Sequence, residues 1–183
     1  MKKYDEDEIA SLLSKPETQR KAFETVVRQF SEQLYWQIRR IVLCHEDAND
    51  VLQNVFTKAW TRIDTFRNDS KLSTWLYRIA INESLDFMRR RKSSTSVSVD
   101  VEGTGIANML LADNYFEGDE TAAMLQEAIA ILPDVQRTVF NMRYFDDMKY
   151  SEISEILKTS EGALKASYHI AVKKISDYFK LRD

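Results

Sequence analysis

Tyr150-Ser-Glu-Ile153-Ser-Glu-Ile156-Leu157-Lys158-Thr-Ser160-Glu-Gly162-Ala163-Leu164-Lys165-Ala-Ser-Tyr168-His169-Ile-Ala171 carries two short apolar stripes on either side of a polar turn. Ile153, Ile156 and Leu157 recur at helical spacing and make a short amphipathic helix. Lys158–Ser160 forms a tight turn, with Ser160 as N-cap of a second helix. Leu164, Tyr168, Ala171, Ile175 and Phe179 make that helix's inner face. The pattern is a helix-turn-helix, in which the small Gly162 and Ala163 are expected to let the two helices cross closely. In this motif the second helix enters the DNA major groove and its N-terminal residues reach base edges. The outward candidates are Glu161, Lys165, Ala166 and His169, while Lys158, Lys165, Lys173, Lys174 and Lys180 would meet phosphates. The same spacing also suits a plain helical hairpin with a solvated lysine face.

Working outward, Ala123, Leu125, Ala128, Ile129 and Leu132 predict a helix stopped by Pro133. Pro133 suits the first position of the next helix, where its missing N–H has no partner to lose. That helix carries Val135, Val139, Phe140, Met142 and Tyr144 on its apolar side. Upstream, Ser93–Asp119 reads as a linker, with a short helical turn around Ile106–Leu111. Between Ser93 and Glu127 there are seven acids and no Lys or Arg. Before the linker, Leu72–Lys92 predicts a helix capped by Ser73 or Thr74. Its apolar face is Trp75, Leu76, Ile79, Ala80, Leu85 and Met88, and it ends in Arg89, Arg90, Arg91 and Lys92, cations that suit a helix C-terminus. Trp75, Tyr77 and Phe87 lie near Arg78 and that basic end. Rings for base stacking beside cations for the backbone suit single-stranded DNA. Trp75 and Phe87 are better explained as core than as stacking platforms, because a tryptophan at helical spacing usually packs. Two further amphipathic helices precede this one. The first carries Phe23, Val26, Val27, Phe30, Leu34, Ile38, Ile41 and Val42. The second runs from Asp47 to Ile63, with Leu52, Val55, Phe56, Ala59, Trp60 and Ile63 facing one way and Asp50, Gln53 and Asn54 the other.

Composition sets the limits. The chain has 183 residues, 44% hydrophobic, with four Gly and two Pro, which disfavours an all-β fold built on many turns. Its net charge is −3, unlike an autonomous DNA binder with a basic footprint. Cys44 is the sole cysteine, so no internal disulfide forms. Neither a signal-peptide core nor a membrane-length apolar run occurs, so a cytoplasmic protein without membrane insertion is expected. His45 and His169 lie in different modules, and adjacent Cys44 and His45 chelate poorly. With no phosphate-cradling Gly loop or nucleophile motif, the expectation is no catalytic residue, metal, cofactor or small-molecule substrate.

Two runs carry a family resemblance. Asp47-Ala-Asn-Asp50-Val-Leu-Gln53-Asn54-Val-Phe56-Thr-Lys-Ala-Trp60, Phe66-Arg67-Asn68-Asp69-Ser70 and Thr74-Trp-Leu-Tyr-Arg-Ile-Ala80-Ile-Asn82 together resemble region two of bacterial sigma factors. Leu132-Pro133 onward, through the helix-turn-helix, resembles region four. With only a linker between them, the layout is similar to the extracytoplasmic-function group. The resemblance implies an all-α fold of two small helical domains, 1–92 and 120–183, joined by a flexible acidic linker, 93–119. It implies a transcription initiation factor that binds core RNA polymerase, selects promoters and helps open the minus-ten DNA. Asp50, Gln53 and Asn54 would then dock polymerase. Arg67, Asn68, Asp69 and Ser70, with Asn82, Asp86 and Arg89, would handle minus-ten DNA. Ser160, Glu161, Lys165, Ala166 and His169 would face the minus-thirty-five element. Core RNA polymerase, promoter DNA and an anti-sigma factor are the implied partners. Three positions depart from the family pattern: Ser167 and Ile170 stand where arginines are common, and Asn54 where an acid is common. The rival readings are a ligand-responsive helix-turn-helix repressor acting without polymerase, which requires tight specific DNA binding by the free protein, and an adaptor that touches no DNA.

Overall fold

The computed structural model describes residues 5–67, 69–94 and 119–182, leaving aside the side chains of 92–94. Among the described residues all regular structure is helical. The helices are α1 (Glu6–Leu13), α2 (Pro16–Val42), α3 (His45–Thr61), a 3-10 turn (Ile63–Thr65), α4 (Leu72–Ser94), α5 (Glu120–Ala130), α6 (Asp134–Tyr144), α7 (Tyr150–Leu157) and α8 (Glu161–Lys180). The chain divides into two compact units, Met1–Ser93 and Ser94–Asp183. The turn expected around Ile106–Leu111 and nearly all of the expected linker lie outside the described residues.

In the first unit α2 packs against α1 and α3. Its buried stripe, Ala22, Val26, Phe30, Leu34, Ile38 and Val42, steps by four residues, so one face runs the length of the helix. The helix starts with Pro16 in its first turn and stops where Leu43 enters the left-handed region (φ 67°), its N–H donating to the Arg39 carbonyl. On α3 the buried register differs from the expected one. Ala48, Val51, Val55 and Ala59 are buried, Leu52 and Phe56 are half-buried, and Trp60 is 40% exposed. The smaller side chains take the inside because they let α3 approach α2 closely. The rings of Phe56 and Trp60 instead pack sideways on Phe23, at 6.4 and 5.1 Å between centroids.

The α4 register also departs from expectation. Leu72, Leu76, Ala80, Ile81, Glu83 and Ser84 are buried, whereas Trp75, Ile79, Leu85 and Met88 are half-buried. Neither Ser73 nor Thr74 is the cap. The Glu6 carboxylate of α1 accepts hydrogen bonds from the Ser73 N–H and hydroxyl, both at 3.0 Å. A carboxylate there satisfies an orphan donor and complements the positive end of the helix.

In the second unit α8 packs against α5, α6 and α7. Leu164, Ala171 and Ile175 are buried and Tyr168 and Phe179 half-buried, the inner face read from the sequence. Phe140 stacks on Tyr168 at 5.7 Å and on Tyr144 at 5.1 Å, which binds α6 to α8 through aromatic surface. Asp119 caps α5 by accepting from the Ala122 N–H at 2.8 Å. Pro133 sits one position earlier than expected, as N-cap of α6 rather than its first residue. Val135 (60% exposed) and Tyr144 (55%) point outward, and Arg137, Thr138 and Asn141 are buried instead. The α5–α6 corner explains this exchange. Arg137, 4% exposed, donates to the carbonyls of Ala130 (2.8 Å) and Leu132 (3.3 Å) and to the Asp134 carboxylate (2.8 Å). Burial pulls its pKa below the usual guanidinium value, and Asp134 opposes that shift. One planar cation thus satisfies the carbonyls left open at the end of α5.

Two expected outcomes follow from these contacts. Arg137→Met leaves the Ala130 and Leu132 carbonyls without their donor and should cost about 3 kcal/mol by urea denaturation. Gly162→Ala should stabilise the protein by about 0.5–1 kcal/mol, read as a higher Tm. A methyl there meets nothing within 4 Å, so the close crossing expected to need Gly162 does not involve it.

Candidate nucleic-acid interface

Both units carry polar residues grouped by helical spacing. On α3, Asp50, Gln53 and Asn54 are all exposed. Their three- and four-residue spacing puts them side by side, opposite the Ala48–Ala59 edge buried against α2. On α4, Asn82 and Arg89 are exposed and Asp86 half-buried along one row. Asp86 and Arg89 pair with each other at 2.7 Å. In the preceding loop Arg67 and Asp69 are exposed and Ser70 half-buried. Asn68 lies outside the described residues. The loop is anchored at its start by Phe66, whose ring packs on Trp75 at 5.3 Å. Trp75 and Phe87 both pack against the core, which favours their packing role over a stacking platform.

Two ion pairs between α3 and α4 fix how the faces relate. Lys58 donates to the buried carboxylate of Glu83, and Arg91 donates to Asp47 at 2.9 Å. Asp47 is near the start of α3 and Arg91 near the end of α4, so the pairs hold the helices antiparallel. Sequence reading missed both, because partners 25 and 44 residues apart leave no local signal.

In the second unit Ser160 caps α8, its hydroxyl accepting from the Ala163 N–H at 3.4 Å. Lys158, in the left-handed region (φ 54°), makes the sharp turn from α7. The Glu152 carboxylate caps α7 by accepting from the Lys149 N–H at 2.8 Å. Ser160, Glu161, Lys165, Ala166 and His169 are all exposed on α8. The Lys165 ammonium is 3.5 Å from Glu161 and sits over the Tyr150 ring at 5.6 Å. Both contacts draw the ammonium toward the α7 side of the helix. Tyr168 behind it has its pKa raised, first by burial.

Comparison with known proteins matches this arrangement. The Sigma-70 region 2 family model matches residues 26–94, and the Sigma-70, region 4 model residues 122–175. The ECF RNA polymerase sigma factor SigW of Bacillus subtilis is 33% identical over 156 residues, 81% of this chain and 83% of that protein. The chain belongs to the sigma-70 family, in its extracytoplasmic-function group. The ECF sigma-E factor of Escherichia coli is 29% identical over 80% of each chain. Among solved structures, the sigma factor RpoE in complex with the anti-sigma factor NepR from Bartonella quintana has a TM-score of 0.68 at 21% identity, covering 89% of this chain and 99% of that one. CnrH in complex with the cytosolic domain of CnrY has a TM-score of 0.67 at 21% identity, covering 97% and 96%. As a sigma factor, the protein is a transcription initiation factor that directs RNA polymerase to promoters.

Sigma factors are non-enzymatic transcription factors. Among the described residues no group of three or more His, Cys, Asp or Glu could hold a metal ion, and no helix is long and apolar enough to cross a membrane. The Cys44–His45 pair has a structural use. Cys44 is the N-cap residue of α3 and its thiol donates to Glu46 at 3.0 Å. His45 Nδ1 lies 2.7 Å from the Tyr35 hydroxyl and its Nε2 3.0 Å from Asn49. Burial, then the Glu46 carboxylate among lesser contributions, pushes the Cys44 pKa above the ordinary thiol value. A raised pKa shrinks the thiolate fraction at neutral pH. Iodoacetamide should therefore alkylate Cys44 more slowly at pH 7.5 than an unstructured thiol, with its pH midpoint above that of a model peptide.

Proposed function

We propose that the faces divide the work of initiation as follows. Asp50, Gln53 and Asn54 on α3 dock core RNA polymerase. Asn82, Asp86 and Arg89 on α4, with the Arg67–Ser70 loop, hold and read the opened minus-ten strand. Ser160, Glu161, Lys165, Ala166 and His169 meet the minus-thirty-five element. The observation that carries this reading is the order of the two matched regions on one chain, with the named residues of α3, α4 and α8 each sharing one side of their helix. Opening DNA costs on the order of 1.4 kcal/mol per base-pair step. A bidentate base contact returns about 1–3 kcal/mol of discrimination. A few contacts on each module select a promoter when both engage, because linkage raises the effective concentration of the second.

Polymerase also accounts for the net charge of −3. The enzyme supplies the bulk of the phosphate attraction, so this subunit has no need of a strongly basic surface. The solved relatives named above were captured with an anti-sigma factor, NepR, and with the cytosolic domain of CnrY. An anti-sigma factor that covers one or both faces is the proposed regulator of this chain. The cytoplasm is its proposed location, since core polymerase and promoter DNA are its targets.

Transcription with core polymerase on genomic fragments, with and without the protein, tests the assignment. Promoter-specific transcripts should appear only with the protein. Gln53→Ala should weaken core binding and lower output from every promoter by severalfold. Asn82→Ala should retain core binding but reduce permanganate reactivity of minus-ten thymines. No transcripts, together with tight specific DNA binding by the free protein, would favour a repressor instead.

A further inference from the structure

Ile170 lies on α8 with 44% of its surface exposed, one turn after the exposed Ala166 and on the same face. Resting on the reading that this face enters the major groove, we propose that Ile170 reads the C5-methyl group of a thymine in the minus-thirty-five element. It is a specificity-determining residue at that base pair.

The argument is one of elimination by chemistry. An isoleucine has no donor or acceptor for a phosphate oxygen or a polar base edge. Docking removes its exposed surface from water, and that is favourable only against another apolar surface. Along the major-groove edges the base pairs present acceptors and donors, and the one apolar group is the thymine methyl. A lysine or arginine at this position would serve a phosphate or a guanine edge, and isoleucine serves neither. Isoleucine gains from one base and not from the other three.

The neighbours leave the role open to Ile170. Lys165 is held between Glu161 and the Tyr150 ring. Lys173 and Lys174, both exposed, follow within the next turn and supply cations for the backbone. Ala166 is about 6 Å earlier along the helix axis and too short to cover the base edge that Ile170 reaches. Burial of one methyl group corresponds to about fourfold in an equilibrium constant.

The test uses polymerase reconstituted with the full chain, on promoters that transcript mapping yields. Each thymine of the minus-thirty-five element is replaced singly by deoxyuridine, which lacks only the methyl. Open-complex formation by the wild type should fall about fourfold at one position. Ile170→Ala should lose a similar factor on the thymine template and show no difference between thymine and deoxyuridine there. Ile170→Val, which keeps an apolar branched side chain, should retain the difference. Tolerance of every deoxyuridine by the wild type would overturn the assignment. So would an equal deoxyuridine penalty in wild type and Ile170→Ala. Weaker binding of Ile170→Ala to core polymerase without DNA, with no deoxyuridine effect, would make this face a protein contact and likewise overturn it. A total absence of promoter-specific transcripts would instead remove the recognition-helix reading on which the assignment stands, and is distinguished by failing with unmodified DNA.

Discussion

The first unit depends on the close approach of α3 to α2 through small and β-branched side chains. Ala48, Val51, Val55 and Ala59 are fully buried, and their size sets how near the two backbones come. Once that edge is inside, the helical period leaves no freedom for the rest of α3. Asp50, Gln53 and Asn54 must be outside, and the large rings of Phe56 and Trp60 must find contacts at the flank, on Phe23. A core choice made with alanines and valines thus determines the polar surface proposed to meet polymerase. The α3–α4 ion pairs extend this order to the second functional helix. Glu83 is buried, so its charge is tolerated only because Lys58 compensates it.

The second unit solves a different problem with different means. Three of its helices have eleven residues or fewer, and α7 has only eight, too few to be stable alone. Caps and aromatic surface make up the difference. Asp119, Glu152 and Ser160 each satisfy an orphan N–H at a helix start. Phe140, Tyr144 and Tyr168 form a stack between α6 and α8, and Arg137 closes the α5–α6 corner. At the far end, burial and then the adjacent Glu127 carboxylate push the Tyr178 hydroxyl up to about 12, while Glu127 also pairs with Arg182 at 3.0 Å. The result is a packed platform from which the outer face of α8 projects. Packing matters for a recognition helix, because base contacts tolerate little displacement.

Legibility in the sequence followed the range of the interaction. The helix-turn-helix was readable because its signals lie within a few residues: an Ile153–Ile156 face, a turn, a Ser160 cap and a Leu164–Phe179 stripe. The outward candidates on α3 and α8 were readable for the same reason, since helical periodicity places polar residues opposite apolar ones. Errors arose where packing partners decide. Trp60, Val135 and Tyr144 looked like core by hydrophobicity and are exposed, whereas Gln37, Glu83, Arg137 and Asn141 are buried. Hydrophobicity alone does not record which side chain fits a narrow gap, nor which buried polar group has a partner.

Local signals along the chain are enough to give its helices, the order of its two recognition regions and the polar faces those helices offer. Each is set by local periodicity, capping chemistry and turn residues. Tertiary structure alone decided which residues fill the interfaces. It also decided that Glu6 of α1 rather than Ser73 caps α4, that Lys58 and Asp47 meet Glu83 and Arg91, and that Arg137 satisfies the carbonyls of α5. Glu6, Lys58 and Asp47 meet partners 67, 25 and 44 residues away, where no local signal reaches, and burial of Glu83 and Arg137 makes an unpaired charge there costly.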